Sequence, residues 1–310
     1  MSLRTPWVAL VGTVLVMLVA ASSGNSAKPP TVGSLIAPGA KVKVVAGGLL
    51  QAEGPLWLHD GRLIVSEIAG NDVLAIDAAG KKRVFRRSSN FANGHALAPD
   101  GSLVEAESGR TKRGLIARIA PNGSVSAVLA DNFRGKRFNA PNDLIVKRDG
   151  TIWFTDPHYG ELVQSKIGFN GVYRVDRKTR SATLMTKALL DPNGIAFSPD
   201  EKTLYVSDSS AGDSGIVYAF PVAADNTLGP GRKLGRGCDG IAVDERGDVW
   251  ASMCSNEIAI TDPAGSEIGA IRFPGTTTNL AWGGADGKTL FVTTADGGVY
   301  SLALTVRETH

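Results

Sequence analysis

Six oxygen-bearing side chains recur at one register of the chain: Glu53, Asn93, Asn142, Asn193, Asp239 and Asn279. They open six related segments: EGPLWLHDGRLIVSE, NGHALAPDGSLVEAE, NDLIVKRDGTIWFTD, NGIAFSPDEKTLYVSD, DGIAVDERGDVWASM and NLAWGGADGKTLFVTT. Carboxylate and amide oxygens suit a hard cation such as calcium, which accepts several oxygen ligands in irregular geometry; zinc would recruit His or Cys. Glu53 and Asp239 balance a divalent charge, and Asn142 and Asn193 add neutral carbonyls. A lone Asn or Asp often opens a strand because it satisfies turn backbone groups. Six at one register point to convergence.

That convergence needs elements to produce it. Seven residues after the opener stands Asp60, Asp100, Asp149, Asp200 or Asp286, with Arg246 as the exception, and glycine follows in every copy but the fourth, which has Glu201. Asp-Gly between two strand-like runs is a hairpin signal. The openers lie 40, 49, 51, 46 and 40 residues apart, a period that suits four strands per unit. Runs such as Gly171–Asp176 and Ile216–Phe220 supply third strands, and no long amphipathic helical pattern interrupts them. The expected fold is therefore all-β, a six-bladed propeller with four-stranded antiparallel blades. Lys41–Ala46 is expected to close the ring on the last blade, whose own final strand spans Val299–Val306. In a propeller the first strand of each blade lines the axis, which brings the openers together.

Register arithmetic extends the candidate site. A hairpin centred on the seventh position sets the opener opposite the fourteenth, so Glu67, Glu107 and Asp156, and Asp208 at the fifteenth, are expected beside the ring, orienting its ligands from behind. His158 and Tyr159 lie just beyond that level, where they could touch a substrate. Cys238 precedes its opener by one residue and Cys254 follows it by fifteen, which predicts a cross-strand disulfide.

The chain resembles the senescence-marker/gluconolactonase family of six-bladed propellers, which includes regucalcin-like lactonases, over roughly residues 45–304. The resemblance is sharpest in Gly135-Lys-Arg-Phe-Asn-Ala-Pro-Asn-Asp143 and Trp153-Phe-Thr-Asp-Pro-His-Tyr-Gly160. Glu53-Gly-Pro55, Asn193-Gly-Ile-Ala-Phe-Ser-Pro-Asp200 and Asp239-Gly-Ile-Ala-Val243 add to it. It implies a cation, calcium first with magnesium, manganese or zinc as other occupants, held by Glu53, Asn142, Asn193 and Asp239. Asp239 also inherits the role of base or nucleophile. Asn93, Asn139 and Asn279 are left as pocket lining. The implied reaction is hydrolysis of a small lactone or related ester. Two other readings are a phosphotriesterase-like hydrolase on the same metal, and a non-catalytic propeller that binds a ligand or protein around a structural cation. Relatives often carry Glu-His where this chain has Glu107-Ser108, and Pro where it has Cys238.

Composition bounds the rest. Arg4, the apolar run Trp7–Ala20 and the small residues after it form a secretory signal, expected within residues 1–27 and cleaved after Ala21 or Ala27, leaving 28–310 as one domain with no stable membrane span. Export to a periplasm or outside the cell is expected, and two cysteines are compatible with it. Lys and Arg number 33 against 30 acids, so the net charge of +3 falls to +2 without Arg4. No strip of the chain carries a nucleic-acid footprint. Gly235-Arg-Gly-Cys-Asp-Gly240 fits a dinucleotide pattern but precedes a strand, so no helix N-terminus is there to hold a pyrophosphate.

Overall fold

Turn residues alternating with β-branched and aromatic runs build six four-stranded antiparallel sheets. The computed structural model describes residues 30–110, 112–158 and 167–309, so the expected leader within residues 1–27 and Tyr159 lie outside the described residues. The innermost strands are Ala52–Trp57, Ala92–Leu97, Leu144–Val146, Pro192–Phe197, Ile241–Val243 and Thr277–Gly283, and they define blades one to six. In blades one to five the strands run outward in chain order. Blade six borrows its outer strand from the other end of the chain: Lys43–Ala46 pairs with Val299–Ala303, Lys43 opposite Ser301 and Val44 opposite Tyr300. The expected six-bladed propeller and its closure are both present.

The Asp-Gly hairpins do what their chemistry demands. Gly61 and Gly101 take φ of +86° and +78°, and Glu201, standing where a glycine is missing, is held at φ +57°. Between blades the core is apolar and aromatic. Trp153 meets Phe197 edge-on at 5.4 Å, Trp250 meets Trp282 at 5.3 Å, and Trp57 stacks on Phe291 at 5.2 Å. These pairs join blade three to four, five to six and six to one, so the ring is held from all sides while its axis stays open. A short helix, Val32–Leu35, drops Leu35 into the cluster that holds Trp250 and Trp282. Among the described residues no helix is long and apolar enough to cross a membrane.

Candidate active site

In blades one, two, four and six the inner strand slips by one residue against its neighbour near its opener. Glu53 faces Ser66 while Leu56 faces Ile64, and the same slip falls between Ala92 and His95 and between Pro192 and Ile195. In blade five the consecutive amides of Cys238 and Asp239 both donate to the Ser252 carbonyl, at 2.8 and 3.2 Å. Such bulges bend a strand and re-aim a side chain.

The bulges correct the hairpin arithmetic. Glu67 faces Ala52, Glu107 faces Ala92 and Asp208 faces Pro192, one residue short of each opener. These acids bind the segments leading into the inner strands. Glu67 accepts from the Leu50 amide at 2.9 Å, and Asp208 from those of Leu190 and Asp191 at 2.9 and 3.1 Å. Asp156 accepts from Asn139 and Ala140 at 2.9 and 2.8 Å, and Glu107 from the Asn90 side chain at 2.9 Å. They fix the ring through backbone one step away. Only Asn279 keeps the fourteen-residue partner, Thr293.

Glycines follow four openers because nothing larger fits. A Cβ on Gly54 would stand 1.9 Å from the Asn93 carbonyl oxygen, on Gly194 2.4 Å from that of Asp239, and on Gly240 2.1 Å from the Asn279 side chain. Each inner strand thus lies against the opener of the next blade. Hydroxyls lock the same seam from the second strands. Ser66 donates to the Asn93 carbonyl at 2.8 Å, Thr155 to Asn193 at 2.6 Å and Ser207 to Asp239 at 2.6 Å. Ser252 donates to Thr278 at 2.6 Å.

Glu53, Asn93, Asn142, Asn193 and Asn279 are buried, while Asp239 keeps a partly exposed edge. Glu53 Oε2 accepts from the Gly54 amide at 2.7 Å and from Asn279 Nδ2 at 3.1 Å. Asp143, not singled out from the sequence, joins the cluster. Four other openers are followed by glycine, so an acid at this place was a readable signal. Burial, then the charge of Asp143, pushes Glu53 up to about 7 against the pull of its two donors. Burial alone lifts Asp143 to about 7 against hydrogen bonds from Leu144, Ile195 and Asn279. Burial, then Glu53 and Asp143, raises Asp239 well above the ordinary carboxylate range, opposed by the Asn193 side chain and the Gly240 amide.

Three interacting carboxylates whose shifts involve no cationic side chain are a strained arrangement that a divalent cation would relieve. The donors are all oxygens, and the buried Oδ1 of Asn93 has no hydrogen-bond partner among the described residues. Among those residues no three His, Cys, Asp or Glu side chains form a metal cluster by themselves, so amide oxygens must contribute. The set fits a hard cation.

The remaining candidates divide. Asn139 is fully buried, its side-chain amide bonded to the carbonyls of Asp156 and Phe169 at 3.1 and 2.9 Å; it secures a turn and does not line the pocket as expected. Asn279 does more than line: it bridges Glu53 and Asp143. His158 is half-buried and lies near Asp191, in the lead-in to blade four, whose carboxyl burial and then Asp208 raise against the opposing influence of His158. Cys238 and Cys254 form a disulfide with Cα atoms 5.7 Å apart, beside Asp239.

The SMP-30/Gluconolactonase/LRE-like region matches residues 51–296. The chain belongs to that family. Within the SMP-30/gluconolactonase family, a gluconolactonase from Zymomonas mobilis is 31% identical over 297 residues, covering 85% of this chain and 81% of that protein. The solved structure of a gluconolactonase from Xanthomonas campestris superposes with a TM-score of 0.79 at 32% identity, covering 88% of this chain and 91% of that one. A calcium-binding regucalcin from Agrobacterium tumefaciens shares the fold, with a TM-score of 0.71 at 21% identity over 87% of this chain and 95% of its own.

Proposed function

We propose that the chain is a calcium-dependent hydrolase of a small lactone. The carrying observation is the axial cluster of Glu53, Asp143 and Asp239 among buried asparagines, in a chain whose relatives include gluconolactonases. Glu53, Asn142, Asn193 and Asp239 would hold the cation, with Asn279 keeping Glu53 in place. When bound, a divalent cation supplies a Lewis acid for the ester carbonyl and positive charge for the oxyanion that develops there.

Asp239 does the proton work. It is the one ring opener that is partly exposed, and the Asn193 side chain and Gly240 amide fix its carboxylate. As base it takes a proton from water while the water oxygen bonds to the carbonyl carbon; as nucleophile it attacks that carbon and water releases it afterwards. Either way the acyl–oxygen bond of the ring breaks, the ring oxygen receives the proton, and one water is consumed per hydroxy acid formed. Lactones are activated esters, so this modest machinery suffices for them and not for amides.

The leader and the disulfide support export to an oxidising compartment as part of the same reading. The test is a panel of γ- and δ-lactones, sugar-derived and alkyl-substituted, with purified protein in calcium and in chelator. Turnover that disappears in chelator and returns with calcium is expected. No hydrolysis of any lactone in calcium, with the ion bound, would favour a ligand-binding propeller instead.

A further inference from the structure

A line of buried polar groups runs between blades one and two toward the axis, and the chemistry above uses none of it. Arg86, in the outermost strand of blade one (Lys82–Arg86), forks onto two acids of blade two. One guanidinium nitrogen bonds Glu105 Oε1, and the other lies 2.8 Å from Glu107 Oε1. Glu105 is fully buried, and its second oxygen lies 3.2 Å from His95 Nε2. On the far side of the ring, His95 Nδ1 lies 2.7 Å from the Gly54 carbonyl. A carbonyl can only accept, so Nδ1 carries a proton and donates it.

Gly54 is the residue whose amide binds Glu53 Oε2. It sits at φ +51° on the inner edge of its sheet, where no further strand of that sheet hydrogen-bonds to it. The next residue is Pro55, which has no N–H, so the carbonyl is the only polar handle on that peptide group. Gly54 is therefore held at its amide by Glu53 and at its carbonyl by His95. Burial, and then the charge of Arg86, depresses His95 to about 4 against the Gly54 hydrogen bond, so the ring is neutral, Nε2 is an acceptor, and the proton of its contact with Glu105 is donated by the carboxyl. Arg86 in turn pins Glu105.

We infer that Arg86, Glu105 and His95 form a positioning relay that sets the Glu53 carboxylate, and through it the affinity of the axial site for its cation. The inference rests on the cation reading given above. None of the three residues is proposed to touch substrate.

The test is calcium affinity by titration calorimetry on the purified full chain, with thermal melting alongside. His95→Leu removes the donor and is expected to weaken calcium binding about tenfold, the scale of one lost hydrogen bond. His95→Gln carries an amide N–H2 able to donate to the Gly54 carbonyl in place of Nδ1, and an amide oxygen able to accept in place of Nε2, and should hold affinity to within about threefold. At saturating calcium His95→Leu should recover its kcat on a lactone, since the relay acts on occupancy. Should His95→Leu fail to fold, Glu105→Leu, which removes the Arg86 and His95 contacts, takes its place with an expected loss of about threefold.

Wild-type affinity in a folded variant lacking the donor would overturn the relay alone. So would equal losses in His95→Leu and His95→Gln that track equal drops in melting temperature, because that pattern marks plain core damage. Absence of calcium binding by the wild-type chain would remove the cation reading and the relay together.

Discussion

The hydroxyl of Ser207 donates to the backbone carbonyl of Asp239 across the seam between blades four and five, at 2.6 Å. The residue given the proton work is thus anchored by its neighbour blade through its main chain as well as through the hydrogen bonds on its carboxylate.

Ser207→Ala should leave that carbonyl short of a partner in a buried seam and cost about 1–3 kcal/mol of stability. Urea unfolding checks it. An unchanged midpoint would show that the seam is held by apolar packing alone.

Gly240→Ala should be worse than its size suggests. The added methyl would fall 2.1 Å from Asn279, the residue that holds Glu53. Overpacking of this kind costs about 1–3 kcal/mol, and calcium affinity should fall with it. Gly33→Ala, whose Cβ meets nothing nearer than 4.0 Å, is the control that should bind calcium normally.

Asp239→Asn separates catalysis from architecture. Loss of the base should lower kcat by about 10²-fold or more. In chelator, however, the variant should melt higher than wild type, because Asp239 is repelled by Glu53 and Asp143. Melting curves in EDTA test the second half; a lower melting point for the variant would contradict the like-charge description of the axis.

The raised carboxylates also set a pH dependence. Glu53 and Asp143 stand at about 7 in the folded chain, above the ~4 of an unfolded acid. Between those values the folded state binds more protons, so stability without metal declines as pH rises and the loss is complete above about pH 7. Melting in chelator should therefore be several degrees lower at pH 8 than at pH 5. Added calcium should stabilise far more at pH 8, since the ligands must be ionised to bind it. A flat profile in chelator would mean that the acids are not buried as described.

Much of this was legible in the sequence because the repeat is strict. The opener, the Asp-Gly turn and the spacing gave the blade number and the closing strand before any geometry was known. The local register was not fully legible: a bulge adds one residue to a strand without altering composition, so Glu67 and Glu107 move one place away from their expected partners, while Asp208, at the fifteenth position, keeps Pro192. His95 and Glu105 are cross-strand partners in one hairpin and so were within reach of the register arithmetic, but the arrival of Arg86 from another blade was not, since nothing in the sequence aligns the two blades at that position. Asp143 stands where four other repeats have glycine, but its neighbour Asn142 carries the opener pattern and masks it.

The strand that seals blade six has a temporal consequence. Asn279 reaches Glu53 across 226 residues, and Lys43–Ala46 cannot find Val299–Ala303 until the last stretch of polypeptide has been made. During synthesis the earliest segment must wait, unpaired, for the latest. A product released prematurely, missing only its final blade, would contain Glu53, Asn142, Asn193 and Asp239 yet lack the wedge that draws the circle shut.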